Sequence, residues 1–137
     1  MEGAGAGGSP VRVTKNGGVY SIESADQCFL YYSKLEVRGI WKRPLNGGAE
    51  MRVMDQSGLD QWYNWFLVRN GIYFLNRAAK PKEKIEFLNF ESGKTTPVLS
   101  PDKEVNWGIT VSPDGRYMMY VQNDFSQSNL VLVKNFR

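Results

Sequence analysis

The chain has 137 residues, a net charge of +3, 42% hydrophobic residues and 13% aromatic residues, a balance that suits one globular domain with a packed core and excludes a disordered chain. No apolar run approaches the roughly 20 residues that a membrane helix needs. Histidine is absent and Cys28 is alone, which removes intrachain disulfides and the usual zinc, triad and near-neutral acid–base chemistry.

Residues 1–10 have neither a basic start nor an apolar stretch, and read as a flexible leader rather than a signal peptide. The compartment stays undecided. A lone cysteine without a signal suits the cytoplasm if the chain is complete, and the periplasm is compatible with a fragment of a larger protein. Val11 to Lys15 alternates apolar and polar residues and meets Asn16-Gly17-Gly18, so a short strand over 11–16 ends in a turn. The next unit, 18–55, runs through Val19 to Glu23, a turn at Ser24-Ala25-Asp26-Gln27, Phe29 to Ser33, Gly39 to Leu45, the hairpin-type turn Asn46-Gly47-Gly48, and Met51 to Met54.

A second unit, 61–100, repeats the plan. Gln61 to Val68 turns at Asn70-Gly71 into Ile72 to Leu75, and Lys84 to Phe90 turns at Ser92-Gly93 into Thr95 to Leu99. The third, 105–137, runs from Val105 to Val111, turns at Ser112-Pro113-Asp114-Gly115, continues from Tyr117 to Gln122, and ends with Leu130 to Val133. Proline presets φ, aspartate bonds the backbone ahead of it, and glycine accepts a positive φ, so this turn is the clearest of the three. It ends one strand short of the pattern.

The registers agree. Phe29, Ile72 and Tyr117 open the second strands 43 and 45 residues apart, Ile40, Ile85 and Leu130 mark the third strands at intervals of 45, and Asn64-Trp65 recurs as Asn106-Trp107. A period of roughly 40–45 with four short strands per unit is the signature of β-propeller blades. The expected fold class is therefore all-β: about three four-stranded antiparallel blades, with the orphan strand 11–16 completing the last blade of the same chain or of a partner. Three blades fall short of the usual 4–8 of a ring, so two chains closing a six-bladed homodimer, or a longer propeller, is expected.

The Ser-Pro-Asp-Gly-Arg turn followed by Tyr117, Gly39-Ile40-Trp41 followed by Pro44-Leu45-Asn46-Gly47-Gly48, and the closing Leu130 to Arg137 resemble TolB-type, WD-like propeller repeats. Together they resemble the C-terminal propeller portion of bacterial proteins that carry an N-terminal winged-helix domain. The resemblance covers 11–137. It implies a scaffold that binds protein or ligand without shared catalytic residues. The winged helix is absent, so its DNA binding is not carried over. The first copy of the turn lacks the proline and the glycine, and the second lacks Ser-Pro-Asp.

Few residues suggest chemistry. Ser112, Pro113, Asp114 and Gly115 are structural: aspartate and glycine are adjacent, which breaks the sialidase Asp-box pattern. The loop around Asp124 offers one carboxylate, too few for calcium. Asp55, Asp60, Glu86, Glu91, Asp102 and Glu104 give no spacing that makes a glycosidase pair. No Gly-x-Ser-x-Gly elbow occurs, so the chain is expected to be non-catalytic, at most the gating propeller of a prolyl-oligopeptidase-type hydrolase. No cofactor or metal is expected. Lys80-Pro81-Lys82-Glu83-Lys84 reads as a solvated loop, and the positive charges are too scattered for a nucleic-acid groove; no membrane partner is expected either. Most of Trp41, Trp62, Tyr63, Trp65 and Trp107 should fill the space between blades. Trp62 and Tyr63, just before an innermost strand, are the candidates for binding at a ring mouth. The expected function is a scaffold or binding module, with itself or another protein as partner, or a ligand-free structural fragment.

Overall fold

The computed structural model describes residues 8–55, 62–124 and 127–136. Residues 1–7 of the expected leader, Asp60, Gln61, residues 125–126 of the polar loop and Arg137 lie outside the described residues. Eleven strands and no helix occur among the described residues, as the period-2 patterning requires. They form three antiparallel sheets. The first holds β1 (Tyr20–Glu23), β2 (Phe29–Ser33), β3 (Ile40–Pro44) and β4 (Met51–Met54) in that order. The second holds β5 (Trp65–Val68), β6 (Gly71–Asn76), β7 (Lys84–Asn89) and β8 (Thr95–Leu99). The third holds β9 (Val105–Val111), β10 (Tyr117–Asp124) and β11 (Gln127–Lys134).

The pairing registers show that the sheets are copies. Ile40 faces Met54 and Ile85 faces Leu99, and one step later the ladder slips by one residue in both, so that Trp41 faces Arg52 and Glu86 faces Pro97. Two such bulges at the same place, 45 residues apart, mark one structural unit written twice. Phe29 and Tyr117 take matching positions, but in the second sheet Gly71, not Ile72, is their counterpart. A side chain there meets the Leu88 carbonyl oxygen at 2.1 Å and the Phe87 ring at 2.5 Å, which leaves only glycine.

Two apolar layers fill the spaces between sheets. Tyr31 and Ile40 of the first sheet meet Trp65, Leu67, Ile72 and Phe74 of the second. Tyr73, Leu75 and Ile85 of the second meet Val105, Ile109, Val111, Met118 and Tyr120 of the third. Fully burying such a side chain contributes about 1.5–3 kcal/mol.

The strand expected over 11–16 is not formed in the single chain. Residues 8–18 have no strand pairing; the stretch from Val13 to Gly18 lies against the first sheet, where the Arg43 guanidinium donates to the Val13 carbonyl oxygen, while residues 8–12 are exposed. A strand needs an unpaired edge beside it, and this segment rests on a sheet face instead.

The loop around Lys80 to Lys84 is more than a solvated connection. Glu83 Oε1 accepts from Val105 N (3.0 Å), and Arg77 donates to the Val105 carbonyl (3.0 Å) while pairing with Glu83 at 2.8 Å. Together they clamp the start of β9 to the second sheet.

Candidate functional site at the inner strands

The inner strands β5 and β9 lie side by side where the second and third sheets meet. Asn64 is fully buried, and its Oδ1 accepts from Gly108 N at 2.9 Å. Two bonds converge on the Trp62 carbonyl: Ser33 Oγ donates to it at 2.6 Å and Trp65 Nε1 at 2.9 Å. These bonds hold the approach to β5 against both neighbouring sheets and fix the backbone of Trp62 and Tyr63.

β9 carries an irregularity at this point. Tyr120 faces Ile109, but Gln122 faces Val105, so Asn106, Trp107 and Gly108 bulge out, with Gly108 at φ 68°. The bulge re-aims Trp107. Its ring stacks on Tyr63 (centroids 4.3 Å, 20° between planes), and Tyr63 meets Trp62 edge-on at 4.9 Å. Trp107 remains 56% exposed, while Trp62 and Tyr63 are half-buried. Three rings thus form one rigid, partly wet platform, able to stack on a planar or apolar group.

The structure therefore joins Trp62 and Tyr63 to Trp107. Trp65 is buried between the first and second sheets, as expected, whereas Trp41 is buried on the opposite, outer face of the first sheet under Lys34 and Arg52 rather than between sheets. The sequence match of Asn64-Trp65 with Asn106-Trp107 is not structural. Trp65 faces Phe74 as Ile109 faces Tyr120, so the counterpart of Trp65 is Ile109 and that of Trp107 is Tyr63. A two-residue bulge displaced the match, and only the strand register reveals it.

Ser112, Pro113, Asp114 and Gly115 form the turn between β9 and β10. Asp114 Oδ1 accepts from Ser112 Oγ (2.7 Å) and Arg116 N (3.0 Å), and Ser112 Oγ accepts from Tyr117 N (3.0 Å). Ser24-Ala25-Asp26-Gln27 makes the same bonds: Ser24 Oγ to Asp26 (2.6 Å), Cys28 N to Asp26 (2.9 Å), Phe29 N to Ser24 Oγ (3.0 Å). The serine hydroxyl and then a backbone N–H lower the pKa of both aspartates. Serine and aspartate define this turn. Gln27 adopts φ 61° where Gly115 has φ 72°.

Among the described residues, no three His, Cys, Asp or Glu side chains gather in a way that could hold a metal ion. Asp124 pairs with Lys103, and Glu104 with Arg77. Among the described residues, no helix is long and apolar enough to cross a membrane.

The outer faces of the first and third sheets differ. Tyr32 is buried, its hydroxyl donates to Glu50, and Trp41 beside it lies under Lys34 (4.2 Å) and Arg52 (5.1 Å). Burial and the Glu50 carboxylate push the Tyr32 pKa up. Burial opposes ionisation of Glu50, but hydrogen bonds from Tyr32, Lys34 and Asn16 outweigh it and lower its pKa. On the third sheet, Leu130 is 71% and Leu132 53% exposed.

No protein-family model matches the chain, and no curated protein matches it in sequence. Solved structures do match. The crystal structure of TolB from Acinetobacter baumannii superposes with a TM-score of 0.62 at 15% identity, over 92% of this chain and 32% of that one. A chain of the nidogen/laminin complex superposes with a TM-score of 0.64 at 12% identity, over 96% of this chain and 55% of that one. The fold is that of a β-propeller. The three sheets are its blades 1, 2 and 3, and the chain spans about a third of the TolB chain and about half of the other. Identities this low establish the fold alone.

Proposed function

We propose that the chain is a non-catalytic interaction module that assembles through the open face of blade 3, with a second copy of itself as the partner that completes a six-bladed ring. One observation carries this reading. Leu130 is 71% exposed, whereas its counterparts Ile40 and Ile85 are 0% exposed because the next blade covers them. Met119 follows the same rule: it is 40% exposed, and its counterparts Tyr31 and Tyr73 are 6% and 5% exposed. The positions that bury two blade–blade contacts inside the chain are repeated a third time on an uncovered face, which is how an interface looks before its partner arrives. The nidogen/laminin structure is a complex of two proteins, which agrees with a binding role for this fold.

In such a ring the platform of Trp62, Tyr63 and Trp107 opens toward the central mouth, and we assign it the contact with a further protein or ligand. Light scattering on the intact chain tests assembly: a dimer mass is expected, and Leu130→Lys should return it to the monomer. A strictly monomeric chain at every concentration overturns the reading.

A further inference from the structure

We infer that residues 11–15 are an exchangeable strand with two seats, one across the face of blade 1 in their own chain and one along the free edge of β11 in a second copy. The inference rests on the self-assembly reading above and adds the element that controls it.

The segment has the residue pattern of an outer strand. Val11-Arg12-Val13-Thr14 parallels Met51-Arg52-Val53-Met54 in β4 and Thr96-Pro97-Val98-Leu99 in β8, with valine at the position of the bulge each time. Arg12 precedes the start of β1 by eight residues, as Pro97 precedes that of β9. β4 and β8 cover the outer edges of β3 and β7, and the corresponding edge of β11 is unpaired among the described residues. An eight-residue edge without a partner presents a row of free N–H and C=O groups, the usual receptor for an added strand.

The seat on blade 1 is an imperfect one. Arg43 donates to the Val13 carbonyl, Gly18 packs near Tyr32, and Asn16 bonds Glu50. Arg43 stands where blade 2 has Leu88, and its buried Nε has no hydrogen-bond partner. A cavity of about 120 Å³ lined by Lys15, Asn16, Tyr32, Arg43 and Glu50 remains between segment and face. A buried donor without a partner costs free energy, so this seat competes weakly with a continuous ladder. Leaving it also uncovers Tyr32 for blade 3 of the partner. Exchange and docking are then one event, the logic of a domain swap.

The test uses the full chain with Cys28→Ser as background. One preparation carries Val11→Cys and another Leu132→Cys, two exposed positions that the β7–β8 register sets opposite each other. Mixed and oxidised, they should give a disulfide-linked dimer containing one of each, alongside a dimer mass in light scattering. A dimer mass without that mixed species overturns strand exchange and leaves assembly standing. A monomer overturns both. Arg43→Leu, which removes the tie to Val13, should lower the dimer dissociation constant about tenfold. An unchanged or raised constant overturns the competition between the two seats.

Discussion

Blade 1 and blade 3 each end the arc with a face that no other blade covers among the described residues, and the chain treats the two faces differently. On blade 1, two cations cover Trp41, Glu50 binds Tyr32, and the stretch from Val13 to Gly18 lies across the sheet. Blade 3 leaves Met119, Leu130 and Leu132 in water. Repeat proteins need terminal units with a polar outer surface, and blade 1 meets that need while blade 3 does not. The difference teaches that a blade is capped by a few charged side chains laid over its aromatic rings, without any change of backbone plan.

The largest expected effect tests whether the two sides really differ. Ile85→Ala should cost about 2–5 kcal/mol, as large-to-small changes in a core do. Leu130→Ala, at the same place in the next copy, should cost less than about 0.5 kcal/mol in dilute solution, where surface changes dominate. Chemical denaturation of both reads the contrast, and equal costs would break it. Tyr32→Phe removes the hydroxyl from Glu50 and should cost about 1.5 kcal/mol, the scale of a hydrogen bond to a charged group. The loss should vanish in a Glu50→Leu background. Gln27→Gly relieves a left-handed residue in blade 1 that blade 3 has already resolved with Gly115, and should raise the denaturation midpoint by about 1 kcal/mol of stability.

The smallest effect is set by pH. Glu50 has a lowered pKa in the folded chain, so its contribution is present above the carboxylate range of the unfolded chain and is lost as pH falls through the folded value. Tyr32 and Lys34 donate to its carboxylate, and Lys15 and Arg43 line the same small cavity. The cap on blade 1 should therefore loosen in acid. Stability followed downward from pH 6 should fall less steeply in Glu50→Gln than in the parent chain.

Much of the fold was legible in the residues. The turns at Ser24 and Ser112 rest on bonds within five residues, and the registers of Ile40 and Ile85 on the neighbouring strands of one hairpin meander, so both are written in the chain itself. The site was legible only in part. Trp62 and Tyr63 stood out beside an inner strand, but Trp107 read as a copy of Trp65, because a bulge of two residues leaves no compositional trace. Glu83 looked like a solvated charge until Val105, 22 residues away, supplied its partner.

By itself the sequence determined the strands of the three sheets, their turns and the threefold repeat, though not the fate of residues 11–16, since alternation and turn chemistry act locally. Tertiary structure alone decided which tryptophan meets water and where residues 11–18 rest. Those outcomes depend on which faces meet across a long separation in sequence, and a chain read in order carries no record of that meeting.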